Sequence, residues 1–549
     1  MSNRSMTALT GVAGGAVAFG VAEIVHGLYP LVPSLPVAVS QRVIELTPGS
    51  LATEAVGTVG KAATPILLVM VVAATLAVAG LLAVLSRRSP LAALAGVGLL
   101  GAIGLVAAFS QPAISVPVTA VTVAGALIFG VTVTRSLLTR AELSEGGGVQ
   151  EPVEGQSGEM QGQMEGVRRR DSGPGNEVSV GRRGFLALSG GTVALGLAAI
   201  GLGRLLSGGS SASSTETASL SSASGGSTTG GAASLEKLPP PPASASIETP
   251  GMPKLITPAD DFYLIDTAVS SPRIDRDRWT LNISGDEVSN PIELSYDELT
   301  SFPQLEADIT MSCVSNDVGG GLVSHGRWTG VRLADVLAEA GIRQGEIGKA
   351  SEQLIGRSVD GWEGGFKTNI AFDGREALVA FGLNGDELPA KHGYPVRLVV
   401  PGLYGYVSAT KWLSEIELKP WDYDVYWIKR GWAKKGPVKT QSRIDTVSKD
   451  DELQAGTIPI GGVAWAPTRG IERVEVSTDG GESWNDARLA TQLDVDAWRQ
   501  YVYEWDAKPG EHTIKVRATD GEGETQTEDE AAPIPSGATG YHTVKVTVA

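Results

Sequence analysis

Cys313 is the single cysteine of a 549-residue chain, and it stands in Met311-Ser312-Cys313-Val314-Ser315-Asn316, ahead of Asp317-Val318-Gly319-Gly320-Gly321. A lone thiol closes no internal disulfide, and the commonest fate of a free cysteine is that of a small buried hydrophobe. Its setting points elsewhere. Ile309 and Met311 alternate with Thr310 and Ser312, which predicts a strand ending at the cysteine. The polar turn and three glycines behind it predict a loop that other groups can approach closely. A thiolate at such a junction suits ligation of a soft metal or nucleophilic attack.

A second group of residues supplies charge. The run Tyr394-Pro395-Val396-Arg397-Leu398-Val399-Val400-Pro401-Gly402 is short, apolar and bounded by prolines, so it reads as a buried strand. Arg397 is its exception, and a charge there is expected to have an anionic partner. Lys411 and Trp412 follow the turn Gly402-Leu403-Tyr404-Gly405. His392, Arg397 and Lys411 thus lie on successive strand-loop edges. An imidazole, a guanidinium and an ammonium gathered this way suit a phosphate-bearing ligand, the alternative being surface charge scattered near loops.

The elements that must position these groups are legible nearby. Trp279 to Gly285 alternates as a strand, and Ser295 caps a short helix through Leu299. Leu333, Val336, Leu337 and Ala340 stand at i, i+3, i+4 and i+7, a helix that Gly341 ends. Those positions are core rather than chemistry.

The remainder is split in composition. Net charge is −17, from 44 basic and 61 acidic residues, which excludes a nucleic-acid partner because phosphate binding needs a basic face. Four apolar stretches, 7–28, 62–86, 91–110 and 118–138, each approach the ~20 residues that span a bilayer. They define a four-helix transmembrane region over 1–140. After a polar loop over 141–181 comes a fifth span, with its arginine pair over 182–206. Arg4, Arg87, Arg88, Arg135, Arg140, Arg168, Arg169, Arg170, Arg182 and Arg183 all fall on one side if the chain starts inside. The expectation is a multi-pass protein of the cell membrane, with everything beyond 206 extracytoplasmic. Glu23 and His26, three apart in the first span, are expected at its outer interface, with 29–61 as an outer loop. His26 is the only histidine before His325 and no Cys-x-x-Cys-His occurs, so no haem is expected, and no flavin motif is visible. The Ser-, Gly- and Pro-rich stretch 207–250 reads as a tether.

Gly181-Arg182-Arg183-Gly184-Phe185-Leu186 resembles a twin-arginine signal, which implies export of a folded, cofactor-loaded protein; ordinary positive flanking of a span is the alternative. Residues from about 256 to 418 resemble the sulfite oxidase family of molybdopterin-dependent oxidoreductases. The resemblance is carried by Ile256-Thr257-Pro258, Asp261-Phe262-Tyr263, the Cys313 loop and Arg327-Trp328-Thr329-Gly330-Val331. It continues through Leu383-Asn384-Gly385, Leu388-Pro389, His392 to Arg397, and Lys411-Trp412-Leu413. The tail is similar to that family's immunoglobulin-like dimerisation domain, through Gly461 to Trp465 and Val474 to Trp484. The implied fold is multi-domain. The helical membrane region is followed by an α+β molybdopterin domain over 251–425 and an all-β immunoglobulin-like sandwich over 426–549, the last allowing a homodimer.

The resemblance also implies roles. Cys313 is the molybdenum ligand, and Trp328 lines the substrate pocket. Tyr263, Asp360, His392, Arg397, Ser408, Thr410 and Lys411 hold the molybdenum–molybdopterin cofactor. Two departures bear on substrate. Where the family has Arg-Asn-His after its Phe-aromatic pair, this chain has Ile265-Asp266-Thr267, and Val318 replaces an arginine that grips sulfite. Each missing contact forfeits roughly 1.5–3 kcal/mol for a small dianion; His325 and Arg327 are the candidates to replace them. The implied activity is two-electron oxygen-atom transfer on an uncharged or larger small molecule, with electrons exchanged with a separate carrier or quinone. The competing reading is a cofactor-free, membrane-tethered binding or adhesion protein.

Overall fold

Uninterrupted Ala, Val, Leu and Gly fold in this chain as helices that satisfy their own backbone groups, the requirement of a segment in lipid. The computed structural model describes residues 3–29, 31–47, 63–111, 114–145, 182–212, 235–449 and 451–549. They fall into two units, a helical one and a β-rich one.

The helical unit contains Asn3–Leu28, Leu35–Leu46, Ala63–Ser86, Pro90–Phe109, Val116–Glu145 and Arg182–Ala212. Within it, Arg4–Leu28, Pro65–Ser86, Pro90–Phe109 and Val116–Arg140 are long and apolar enough to cross a membrane. The expected fifth span forms as a helix, Arg182–Ala212, and its described stretch Ala187–Leu202 is apolar. That helix lies tightly on the first one: a Cβ added at Gly196 would fall 2.7 Å from the Ala16 carbonyl oxygen, the small-residue approach typical of packed membrane helices.

The outer loop expected over 29–61 contains a helix, Leu35–Leu46. Pro36 stands in its first turn, where a missing N–H costs nothing. Glu23 is buried and accepts from Ser34 Oγ at 2.8 Å. His26 Nδ1 meets the Val32 carbonyl at 2.7 Å. From 146 to 181 the expected polar loop lies outside the described residues, as do 48–62 and 213–234.

The β-rich unit begins before 251, a correction to the expected tether. Leu235–Glu236 pairs in parallel with Gln304 and Leu305. Leu238 N donates to Glu306 at 2.9 Å, and Ile247 N donates to Gln500 at 2.6 Å. Proline loses little entropy on being held against a surface, so the Pro-rich stretch docks on the domain.

In chain order the first strands are β1 Leu235–Glu236, β2 Thr280–Gly285, β3 Ile292–Ser295, β4 Gln304–Ser312, β5 Val323–Arg332, β6 Gln353–Ser358, β7 Glu363–Lys367, β8 Leu378–Leu383, β9 Asp386–Glu387, β10 Arg397–Val399 and β11 Leu413–Lys419. They form two sheets, β1-β4-β5-β8-β10 with β9 beside β8, and β3-β2-β11-β6-β7. Both contribute to one core that includes Leu281, Ile283, Val331, Val379, Leu398 and Ile416, joined by Leu333, Val336 and Leu337 of the helix Leu333–Glu339. The Ser295 cap forms as expected, with Glu298 closing a capping box.

The tail folds as β12 Gln441–Ile444, β13 Glu452–Leu453, β14 Gly456–Trp465, β15 Ile471–Ser477, β16 Asn485–Asp486, β17 Arg488–Leu489, β18 Arg499–Ala507, β19 Gly510–Asp520 and β20 His542–Val548. Its sheets, β12-β14-β18-β17 and β13-β20-β19-β15-β16, share a core of Ile460, Val474, Tyr501, Val516 and their neighbours.

The alternation read in β4 is present, yet Thr310 and Ser312 are buried as well. The tail covers that polar face. Thr310 N donates to the Asp496 carbonyl at 2.9 Å, and Trp498 N donates to Thr310 Oγ1 at 2.7 Å. Beside Cys313, Val314 and Val323 pack with Tyr404, Tyr406, Val463, Trp465 and Trp498 in one cluster spanning both domains.

Candidate active site

Cys313 follows directly on β4, at the start of a tightly tied loop. Its N–H donates to the Leu322 carbonyl at 2.9 Å, and Leu322 N donates to Asn316 Oδ1 at 2.7 Å. Sγ lies 3.0 Å from Ser315 Oγ. Burial pushes the thiol up, only partly offset by Ser315. A sulfur so placed becomes a thiolate when a cation binds it, which is the behaviour of a metal ligand rather than a pre-activated nucleophile.

The tail grips this loop, a feature the sequence reading missed. Arg443 Nη1 donates to the Gly320 carbonyl at 2.9 Å, and its Nε is 2.7 Å from Asp445 Oδ1. Gly319 has φ +76, and a Cβ there would sit 2.2 Å from the His542 ring. His542 in turn accepts from Ile444 N at 2.9 Å. Gly319→Ala therefore meets both left-handed backbone and a ring that cannot retreat. We expect a loss of about 1–3 kcal/mol, read as a lower denaturant midpoint by tryptophan fluorescence. All 11 tryptophans lie between Trp279 and Trp505, so that signal reports the β-rich unit alone.

The expected cofactor-holding residues converge around two cations. Arg397 is 5% exposed and sits over the Trp328 ring, 5.1 Å from its centroid. Its nitrogens donate to carbonyls, the best contact being to His392 O at 3.0 Å. Burial lowers its pKa to about 10, with nearby Tyr263 and Asp266 opposing. The expected anionic contact partner is not found: among the described residues, no carboxylate forms an ion pair with Arg397. The short strand instead sets the guanidinium against backbone carbonyls and an aromatic face.

Lys411 Nζ donates to the Lys391 carbonyl at 3.0 Å and pairs with Asp266. Burial lowers it to about 8. Gly393, at φ +113, lets the two cations approach; a Cβ there would press on Arg397 Cβ at 3.0 Å and on Lys411 Cβ at 3.2 Å. His392 Nε2 donates to the Ala259 carbonyl at 2.8 Å, and burial holds the ring neutral with a pKa near 4.

Other expected site residues take the following places. Tyr263 stacks on Phe262. Its phenol is pushed up by burial and by Cys313, while Arg397 opposes, so it lies within electrostatic reach of both. Asp360 accepts from Trp362 N at 3.1 Å in the turn after β6, and its charge bears on Lys411 and Asp266. Ser408 and Thr410 are buried, their hydroxyls bonded to the Tyr404 carbonyl at 3.1 Å and the Gly356 carbonyl at 3.3 Å. Trp328 is fully buried, edge-on to Phe262 and beneath Arg397. That position supports the cation from below.

Neither candidate replacement for the missing sulfite-gripping contacts is free. Arg327 is held by Asp308 in a two-point pair, at 2.9 and 2.8 Å. His325 is fully buried against Thr310, 3.1 Å away, and Trp498. Burial lowers its pKa to about 4, with smaller effects from Asp308 and Arg327. The unfolded ring takes its proton near 6.5, so between these values the unfolded state binds more protons. Its contribution to stability is intact above pH 6.5 and is lost as pH falls toward 4, by about 3 kcal/mol. His392 and His542 lie near 4 for the same reason. His325→Gln should thus remove about a third of the acid lability those three impose, measured by denaturation at stepped pH.

Among the described residues no group of three or more His, Cys, Asp and Glu is placed to hold a metal ion. Cys313 alone cannot hold one, so a metal here would take its remaining ligands from an organic cofactor. The buried guanidinium without a carboxylate, the adjacent ammonium and the single sulfur fit a phosphate-bearing, sulfur-coordinated metal group.

Comparison with known proteins agrees. Residues 268–427 match the oxidoreductase molybdopterin-binding domain, and 437–549 match the Mo-co oxidoreductase dimerisation domain. The chain is 30% identical over 306 residues to mitochondrial sulfite oxidase of Homo sapiens, covering 48% of this chain and 56% of that one. It is 27% identical over 290 residues to nitrate reductase (NAD(P)H) of Hordeum vulgare, covering 43% and 32%. The chain thus spans little more than half the length of the sulfite oxidase. A solved structure, the sulfane dehydrogenase SoxCD of Paracoccus pantotrophus, aligns with 23% identity and a TM-score of 0.47, covering 55% of this chain and 83% of that one. Both domain models match in order, the first spanning Cys313, and they place residues 268–427 and 437–549 in the sulfite oxidase family of molybdopterin-dependent oxidoreductases.

Proposed function

We propose that the chain is a membrane-anchored, extracytoplasmic oxidoreductase that transfers an oxygen atom, with two electrons, to or from an uncharged or larger substrate rather than sulfite. The observation that carries the reading is Arg397, a buried guanidinium with no carboxylate contact, packed on Trp328 in the domain that presents Cys313. Molybdenum carried by molybdopterin would, when bound, supply the two-electron couple and the exchangeable oxygen. Cys313 would give the metal its protein sulfur. Arg397 and Lys411 would hold the phosphate end, and neutral His392 would offer Nδ1 as an acceptor. Tyr263, Asp360, Ser408 and Thr410 would border the pterin, and Trp328 would keep Arg397 aimed.

The substrate proposal rests on the positions where the resemblance puts contacts to sulfite, and on the two candidates to replace them. Val318 and Ile265 carry no charge, Arg327 is held by Asp308, and His325 is neutral and buried. A small dianion would find no unpaired guanidinium among these positions, and the net charge of −17 disfavours its approach. Electrons would pass to a separate carrier or to quinone. An immunoglobulin-like tail joining two copies agrees with the dimerisation-domain match.

The side of the membrane turns on Arg182–Ala212, since four crossings return the chain to its starting side and five do not. The arginine distribution and the twin-arginine-like segment favour five. A periplasmic-type reporter fused after Ala549 should be active; activity only of a cytoplasmic reporter contradicts the placement.

The full-length chain, produced in a molybdopterin-competent host, should contain one molybdenum per chain. With a viologen or ferricyanide mediator it should turn over an uncharged sulfoxide or thioether at least tenfold faster than sulfite. Absence of molybdenum and pterin contradicts the enzyme reading and leaves the cofactor-free binding protein. Sulfite as the faster substrate contradicts the substrate proposal alone.

A further inference from the structure

One carboxylate already sits in the cationic cradle. Asp266 is ion-paired with Lys411, the two side chains 16% and 12% exposed. Its charge also bears on Arg397. Where the sulfite oxidase pattern has an uncharged asparagine, this chain carries an acid. A mostly buried ammonium needs an anion beside it or loses its proton. Asp266 meets that need when no ligand does.

The same pairing obstructs a ligand. A phosphate directed to Lys411 meets a carboxylate on the same ammonium, and two anions in a poorly solvated site repel. Asp266 is placed to move, because it lies in a stretch without helix or strand, just after Leu264 and Ile265, each 43% exposed. We propose that Asp266 is a resident counter-anion, holding Lys411 in the cofactor-free protein and releasing it when the phosphate of the cofactor enters, so that loading is an exchange of one anion for another. The inference rests on the cofactor reading above.

The test uses the full-length chain in detergent, purified from a host that makes no molybdopterin. Inorganic pyrophosphate binding is followed by calorimetry. Uptake of molybdopterin released from a donor enzyme is followed by the fluorescence of its oxidised pterin. Asp266→Asn should bind pyrophosphate about tenfold tighter than wild type, the size of one charge-assisted contact no longer contested. It should also melt several degrees lower when cofactor-free. In a Lys411→Gln background Asp266→Asn should change binding less than twofold. A loaded wild-type structure, which needs no variant to fold, should show the Asp266 carboxylate beyond 4 Å from Lys411 Nζ.

Equal or weaker pyrophosphate binding by Asp266→Asn, an undiminished gain in the Lys411→Gln background, or an intact Asp266–Lys411 pair in the loaded structure overturns the proposal. Wild type and Asp266→Asn taking up molybdopterin equally well overturns it while leaving the cofactor reading in place. Failure of the wild type to take up molybdopterin overturns both.

Discussion

Cys313→Ser is expected to abolish turnover, by at least a thousandfold, while the fold persists. Serine nearly matches cysteine in volume, and the loop's ties run through the backbone, Asn316 and Arg443 rather than through sulfur. Thermal stability should fall by no more than about 1–2 kcal/mol, the cost of a hydroxyl in a buried site, with Ser315 close enough to bond it. A hydroxyl is a poor ligand for a soft metal centre and stays protonated where a thiol would ionise. Pterin content should therefore be largely retained while activity is lost, since Arg397 and Lys411 remain. Comparison of pterin fluorescence with turnover measures the split.

Arg397→Met is expected to have the opposite signature. It removes the principal anion contact without touching sulfur, so cofactor uptake should fall at least a hundredfold, the equivalent of two charge-assisted hydrogen bonds. Cofactor-free stability should nevertheless stay level or rise. The wild-type guanidinium is buried with carbonyls for company, and an apolar side chain of similar length escapes that desolvation cost. Arg397→Lys should recover only part of the uptake, because an ammonium lacks the planar fork and the stacking surface that Trp328 meets. A variant that loses stability and keeps its pterin would mean that Arg397 is structural.

Much of this site could be read before folding. Cys313 announced itself by being alone and by its strand-and-glycine setting. His392, Arg397 and Lys411 stood at successive strand edges, and those edges do meet, at Gly393. What local pattern could not show was which neighbours arrive from far along the chain. Arg443 and His542 reach the cysteine loop from the tail, more than 100 residues away. They carry no motif of their own, and only the clash space at Gly319 reveals them. Trp328 entered through the resemblance alone, and its packing in β5 between Phe262 and Arg397 is something spacing does not encode. Asp266 was visible as a departure from the family pattern, but its pairing with Lys411 depends on a meeting across a separation of 145 residues that spacing does not encode.

The elements follow the same division. Helix caps and apolar periodicity act within a few residues, so Ser295 and the helix Leu333–Glu339 were legible. The Pro-rich stretch before 251 looked like a tether because composition reports what a segment can bury by itself, not what a domain's edge and Gln500 can offer it. The helix Leu35–Leu46 was hidden by prolines that mark its start rather than a loop.

Molybdenum K-edge absorption on the full-length chain, compared between wild type and Cys313→Ser, tests most directly that Cys313 is the metal's protein ligand. The expected result is molybdenum in both proteins, with one sulfur fewer around the metal in the variant. An unchanged sulfur count, or no molybdenum in the wild type, would contradict it.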